Sequence, residues 1–152
     1  MRCSGSVLIA LIQRVSHAGV VVEGQTVGSI GKGMLALIGV EKSDSEVQLA
    51  KLAAKMLNYR MFADQQDKMN LNLMQVKGEL LLVPQFTLAA DTRSGLRPSF
   101  QGAAPDVASA LFDSLVTLIS EEYIAPQAGI FGANMQVSLC NDGPVTFWLQ
   151  VE

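Results

Sequence analysis

The chain has one histidine, two cysteines, one tryptophan and five prolines in 152 residues, and only 16% of it is charged. Each shortage removes a class of function. The single histidine, His17, lies between two predicted strands with no serine, cysteine or acid pattern to make a triad, and reads as non-catalytic. Cys3 and Cys140 give neither a zinc spacing nor a disulfide framework, which suits a reducing, cytoplasmic compartment. Cys140 stands in an apolar strand pattern and reads as a small buried hydrophobe. The net charge of −3 lacks the broad basic footprint of a domain that coats nucleic acid. Contact with only the end of an RNA would need no more than a local patch, for which Lys32, Arg60, Lys68, Arg93 and Arg97 are candidates. The apolar run from Val7 to Ile12 is short and continues into Gln13-Arg14-Val15 without a small-residue cleavage site, so it predicts a buried first strand rather than a signal segment, and no membrane partner is expected.

Two further patterns fall short of a site. Gly28-Ser29-Ile30-Gly31-Lys32-Gly33 fits neither phosphate-loop spacing nor a strand-to-helix context, and reads as a hairpin connection. Asp64, Asp67 and Asn70 lack the alternating ligands, central glycine and terminal glutamate of a calcium loop. No metal and no cofactor are expected.

What the chain has in quantity is apolar residue, 49% of the total, which suits one domain burying roughly two-thirds of its unfolded surface. Alternation with glycine-marked turns predicts strands from Ile9 to Val15, Gly19 to Glu23, Thr26 to Ile30 and Met34 to Val40, with a tight hairpin at Glu23-Gly24-Gln25. Ser43 with Glu46 forms a capping box, and Leu49, Leu52, Ala53, Met56 and Leu57 make one apolar stripe of a helix ending near Tyr59. After a polar loop, a strand runs through Val83 into Gln85-Phe86-Thr87, followed by an irregular stretch from Ala90 to Ala104. Pro105 opens a second amphipathic helix, with Ala108, Leu111, Phe112, Leu115, Leu118 and Ile119 on its apolar face, ending near Tyr123. Strands from Met135 to Cys140 and from Val145 to Val151 close the chain. The fold class is α+β: a mixed, curled sheet with both helices on one face.

Two stretches carry chemistry. Gln85 and Thr87 emerge two apart as a buried strand ends, hence on one face. No nucleophile–base pair accompanies them, so Gln85, Thr87 and the backbone amides around Phe86 suit catalysis by positioning. The second is Asn141-Asp142-Gly143-Pro144-Val145-Thr146. It has two readings: an ordinary hairpin turn between the last two strands, or a rigid corner holding two carbonyl oxygens in one direction to receive an ammonium group.

Together these stretches resemble the signature motifs of the D-aminoacyl-tRNA deacylases (the D-tyrosyl-tRNA deacylase family), whose usual forms are Ser-Gln-Phe-Thr near mid-chain and Asn-x-Gly-Pro-Val-Thr near the C-terminus. Ala10-Leu11-Ile12-Gln13-Arg14-Val15 is similar to the family's opening strand, Lys68-Met69-Asn70-Leu71-Asn72 to its central loop, and Arg97-Pro98-Ser99-Phe100 to the segment after the first motif. The resemblance covers residues 9–152 in order, with residues 1–8 ahead of the usual start.

The resemblance implies a partly closed, barrel-like sheet with helices packed outside, an obligate homodimer, and hydrolysis of the ester of D-aminoacyl-tRNA as proofreading in translation. It implies catalytic roles for Gln85, Phe86 and Thr87 at the aminoacyl-tRNA 3′ end, with the terminal 2′-hydroxyl assisting and Thr87 a positioning residue. It further implies that Gly143 and Pro144, as a Gly-cisPro pair of one subunit, grip the α-ammonium in the other subunit's pocket and exclude an L side chain, which leaves glycyl-tRNA acceptable. Arg14 would fix the corner through its carbonyls. Pro84 departs from the family serine, removing a hydroxyl and an amide donor, and Asn134 stands where aspartate is common. A non-catalytic dimeric RNA-end-binding module and a Thr87-dependent general esterase are the alternatives.

Overall fold

A computed structural model describes residues 8–40, 46–99 and 104–151. The frame is a long antiparallel pair. β1 (Leu8–Val22) runs beside β8 (Gln136–Val151) from Leu8↔Val151 to Val21↔Gln136. On its other side β1 pairs with β3 (Gly33–Val40) through its first half and with β2 (Gln25–Ile30) through its second. β3 then pairs in parallel with β6 (Glu79–Pro84), and β6 with the short β7 (Gln127–Ala128). A separate two-stranded ribbon, β4 (Phe62–Ala63) with β5 (Met69–Leu71), lies between the helix α1 (Glu46–Asn58) and β6. The helix α2 (Pro105–Glu122) connects β6 to β7.

Both faces of the sheet are used. Leu8, Ala10, Ile12, Met34, Ala36, Ile38, Leu80 and Leu82 point to the side covered by Leu49, Leu52 and Met56 of α1 and Leu111, Leu115 and Ile119 of α2. On the opposite side Leu35, Leu81 and Val83 pack with Val15, Ala18, Val20 and Ile30 from the far end of β1 and from β2. Residues so distant along the sheet meet only because it twists and curls into the barrel-like form expected.

Several expectations need correction. The two strands predicted between Ile9 and Glu23 are one strand, so His17 lies within β1, exposed, rather than between strands. The last two predicted strands are likewise one, and Gly143-Pro144 is not a hairpin turn but an interruption inside β8. The strand expected to run through Thr87 stops at Pro84 and gives way to a 3-10 turn over Phe86–Ala89. Cys140 is exposed, because the outer face of β8 there meets solvent. The Ser43 capping box falls outside the described residues. The Glu23-Gly24 hairpin stands as expected, with left-handed φ values of 49° and 79°.

Asp64, discounted as a calcium ligand, organises the β4–β5 ribbon. Its carboxylate accepts the Asn70 side-chain amide at 2.9 Å and the backbone amides of Gln66 at 2.9 Å and Lys68 at 3.0 Å. These donors, Asn70 foremost, hold its pKa below the ordinary carboxylate value. At the other end of the sheet the Tyr123 hydroxyl donates to the Gly78 carbonyl at 2.7 Å, tying the exit of α2 to the start of β6.

Burial, with a smaller contribution from Glu79, raises the Tyr123 pKa above its ordinary 10.0. Its neutral form is therefore favoured in the fold, a contribution present below pH 10.0 and lost as pH rises through the raised value. Tyr123→Phe should lower stability by about 1 kcal/mol at neutral pH. The difference from the parent should shrink above pH 10.0, as read by thermal melts across pH.

Candidate functional site

The first site element forms where β6 ends. Gln85 donates its backbone amide to the Ile38 carbonyl at 2.9 Å, the last bond of the β3–β6 ladder. Successive amides of a strand point to opposite sides, so the nitrogen of Pro84 faces β7, whose ladder with β6 has already ended at Leu82↔Ala128. No ladder bond is lost there. Gly129 sits against this position: a Cβ on it would lie 3.5 Å from Pro84 Cδ and 2.7 Å from Met135 Sδ. Proline thus fits inside the sheet at a point where no donor is called for.

Beyond Pro84 the chain turns. Leu88 donates its amide to the Gln85 carbonyl at 3.2 Å and Ala90 to the Thr87 carbonyl at 3.1 Å. Gln85 and Thr87 therefore do not share a strand face, yet the turn brings them together: Gln85 Nε2 donates to Thr87 Oγ1 at 3.0 Å. Thr87 meets an amide donor here, not a base. The Phe86 ring is 66% exposed at the mouth of a cavity of about 380 Å³. Ile38, Phe112 of α2, Phe131 and Met135 line the cavity, and Gln85 supplies polarity at its rim. A slot with aromatic and aliphatic walls and a single polar edge suits a flat, weakly polar ring.

The second element is the interruption in β8. Gln13 pairs with Thr146 and Val15 with Asn141, so residues 142–145 bulge out opposite Arg14 alone. The Arg14 side chain fills the gap. Its Nε donates to the Asp142 carbonyl at 2.9 Å and its Nη1 to the Met61 carbonyl at 3.1 Å, with the Asp142 carboxylate 4.0 Å away. Arg14 was expected to bond the Gly-Pro carbonyls; its partner is instead the carbonyl just before them. Gly143 has φ +140°, and a Cβ there would come within 2.7 Å of Val145 Cγ2 and 3.0 Å of Arg14 Nη2. The Gly143-Pro144 peptide bond is cis, and both residues are exposed.

Asn141, unassigned by sequence, closes the bulge across its base. Its Oδ1 accepts the Val145 amide at 2.7 Å and its Nδ2 donates to Thr146 Oγ1 at 2.8 Å. Asparagine's habit of binding nearby backbone was the available signal. Phe131 and Met135 carried none, because irregular segments bring them to the cavity.

The two elements are not assembled within one chain. Gly143 and Pro144 do not line the cavity. The bulge sits opposite Arg14, which pairs with Met34, whereas Gln85 bonds Ile38, four residues further along β3, on the order of 13 Å away. Of the basic candidates, Arg93 pairs with Asp91 at 2.8 Å, which raises its pKa. Among the described residues no group of three metal-ligating side chains occurs.

Residues 11–150 match the family model described as D-Tyr-tRNA(Tyr) deacylase. A D-aminoacyl-tRNA deacylase of Haemophilus influenzae is 59% identical over 145 residues, 95% of this chain and 100% of that protein. One of Mannheimia succiniciproducens is 61% identical over the same shares. Among solved structures, the c-Myc DNA Unwinding Element Binding Protein superposes with TM-score 0.88 at 34% identity, over 93% of this chain and 97% of that one. A probable eukaryotic D-amino acid tRNA deacylase shares the fold, with TM-score 0.84 at 16% identity over 95% of this chain and 100% of that one.

The bulge geometry yields a stability prediction. Gly143→Ala should cost on the order of 1–3 kcal/mol, since the added methyl meets Val145 and Arg14 at an unfavourable φ. Arg14→Ala should cost about 1–2 kcal/mol by removing the exposed bond to Asp142 and leaving the part-buried Met61 carbonyl without its donor. Denaturant unfolding of each variant and of the pair checks this; shared contacts make the double loss less than additive.

Proposed function

The chain belongs to the D-Tyr-tRNA(Tyr) deacylase family, and we infer that it hydrolyses the ester joining a D-amino acid to the 3′ end of tRNA, with both site elements meeting across two copies of the chain. Water adds to the ester carbonyl, the tetrahedral intermediate collapses, and the ribose oxygen leaves with a proton, giving free D-amino acid and tRNA. Such an ester is labile, so orientation and hydrogen-bond donors aimed at the developing oxyanion suffice.

In this reading the cavity takes the terminal base of the tRNA, with the Phe86 ring at its mouth. Gln85 and Thr87 border the reacting carbon. The Gln85 amide occupies the Thr87 oxygen as acceptor, so the hydroxyl proton is available to substrate, and Thr87 acts by positioning rather than attack. Amides of Gln85, Leu88 and Ala90 are used inside the fold, and in this reading the Thr87 amide serves as oxyanion donor. The terminal 2′-hydroxyl lies in the substrate itself and assists in ordering the water.

The observation that carries the reading is the separation of the two motifs in one chain. The Gly143-Pro144 corner is exposed on a strand whose outer edge pairs with no other strand among the described residues, and Trp148 on the same strand is 50% exposed. A homodimer that covers this surface brings the corner of one copy to the cavity of the other. Its carbonyls then receive the α-ammonium, and the corner occupies the space an L side chain would need. Discrimination by clash spares substrates without a side chain, so glycyl esters pass. Among the described residues no helix is long and apolar enough to cross a membrane, and a substrate carried on tRNA supports the reading of a cytoplasmic protein.

The purified protein should hydrolyse D-tyrosyl-tRNA at least about 100-fold faster than the L ester, without added metal, a difference near 2.7 kcal/mol. Thr87→Val should lower kcat roughly 10²-fold with KM little changed. Alone, this variant and a Gly143→Ala/Pro144→Ala variant should each hydrolyse the D ester roughly 10²-fold more slowly than the parent. Mixing the two after partial denaturation and refolding should restore part of the activity, because one of the two sites in a mixed dimer is intact. Equal hydrolysis of both esters, or no recovery on mixing while both variants form dimers, would overturn the reading.

A further inference from the structure

The bulge in β8 is held from two sides. Arg14 holds its outer limb through the Asp142 carbonyl, and Asn141 closes its base. The Asn141 side chain spans the whole excursion: one atom takes the amide of Val145, the residue just after Gly143-Pro144, and another reaches the hydroxyl of Thr146, where pairing with β1 resumes at Gln13. Without that clip, four residues facing a single partner have few ladder contacts to define their path.

We propose that Asn141, through its paired hydrogen bonds to Val145 and Thr146, is a positioning residue for chiral selection, fixing the corner without touching substrate. The inference rests on the reading of Gly143-Pro144 as the chiral filter. Selection by clash depends on where the blocking atoms stand, whereas binding of the terminal base depends on a cavity at the far end of β6. Loosening the corner therefore lets the L ester in while leaving the cavity intact. Thr146 is the second half of the clip and carries a smaller share, because Thr146→Val keeps the Val145 bond.

The chemistry supplies its own rescue. An aspartate at position 141 still accepts the Val145 amide, and the Thr146 hydroxyl can turn to donate to the second carboxylate oxygen. The added charge acts on the ammonium of both enantiomers alike. Leucine has nearly the same volume and neither bond.

The test measures kcat/KM for D- and L-tyrosyl-tRNA with the parent, Asn141→Leu, Asn141→Asp and Thr146→Val proteins, alongside melting temperature and binding of adenosine monophosphate. Asn141→Leu should lower the D:L ratio at least about tenfold, the scale of a lost pair of neutral hydrogen bonds. Asn141→Asp should stay within roughly threefold of the parent, with Thr146→Val between them and nucleotide binding unchanged throughout. A folded Asn141→Leu whose ratio stays within twofold overturns the proposal, as does an equal fall for both esters, which marks a merely structural residue. If Asn141→Leu does not fold, Thr146→Val decides: a lowered ratio supports the proposal and an unchanged one overturns it. A parent protein that hydrolyses both enantiomers equally removes the chiral-filter reading and this proposal together, whereas a selective parent with an equally selective Asn141→Leu removes this proposal alone.

Discussion

One strand has to serve two hydrophobic cores that lie on opposite faces of the sheet, and the site geometry follows from how it does so. Before the interruption β8 turns Val137 and Leu139 toward the inside of the curl; after it, Phe147 and Val151 pack with Leu149 against the helices. All five are odd-numbered. A regular strand keeps odd positions on one face throughout, so the chain has to change phase. Five steps of β8, from Asn141 to Thr146, set against two of β1, from Val15 to Gln13, make that change. The bulge is a requirement of packing before it is a device of function.

Such a bulge exposes polar backbone over a half-buried surface, and this chain meets the need with arginine. A guanidinium is a flat fork that reaches two carbonyls of different segments at once, which a single ammonium does less well. Arg14 joins the bulge to Met61 at the entry of β4, and the Tyr59 ring packs against Phe147 at 5.1 Å just past it. The corner is thereby attached to the α1 exit as well as to β1. A filter that works by occupying space needs this rigidity, since a corner free to move by an ångström would not exclude a side chain.

The element content was largely legible in the sequence. Both helices appeared because their stripes, Leu49 to Leu57 and Ala108 to Ile119, meet the core with helical spacing and little interference. β2, β3 and the Glu23-Gly24 hairpin appeared because alternation and turn chemistry are local. What stayed hidden was continuity. Glycine at position 19 and Gly-Pro at 143–144 read as breaks, but pairing along both sides of β1 carries the strands through them, and tertiary pairing overrides local punctuation. β4, β5 and β7 are two or three residues long and exist only through their partners. Of the site, Gln85, Thr87 and Arg14 were legible as residues, but not the 3-10 turn that joins the first two, nor the carbonyls that Arg14 holds. Asn141 was hidden in the reading of its segment as a hairpin.

Pro84 shows why a departure at a motif need not break a fold. Its cost depends on which side of the strand the missing donor would have faced, and one residue earlier or later it would have faced β3, where a ladder bond would be lost. At position 84 it faces the gap left by β7, beside Gly129, where even an added Cβ would meet the ring only at ordinary contact distance. The same position begins the turn that gathers Gln85 and Thr87, and a fixed φ immediately before a turn narrows the paths the chain can take into it. On the proposed mechanism that is an advantage, because a site without a nucleophile–base pair depends on the placement of its few polar groups more than on their reactivity. Rigidity at Pro84 on one copy and at the Arg14-held bulge on the other then serve a single end: two stiff elements, built separately, meeting around a substrate that supplies its own hydroxyl.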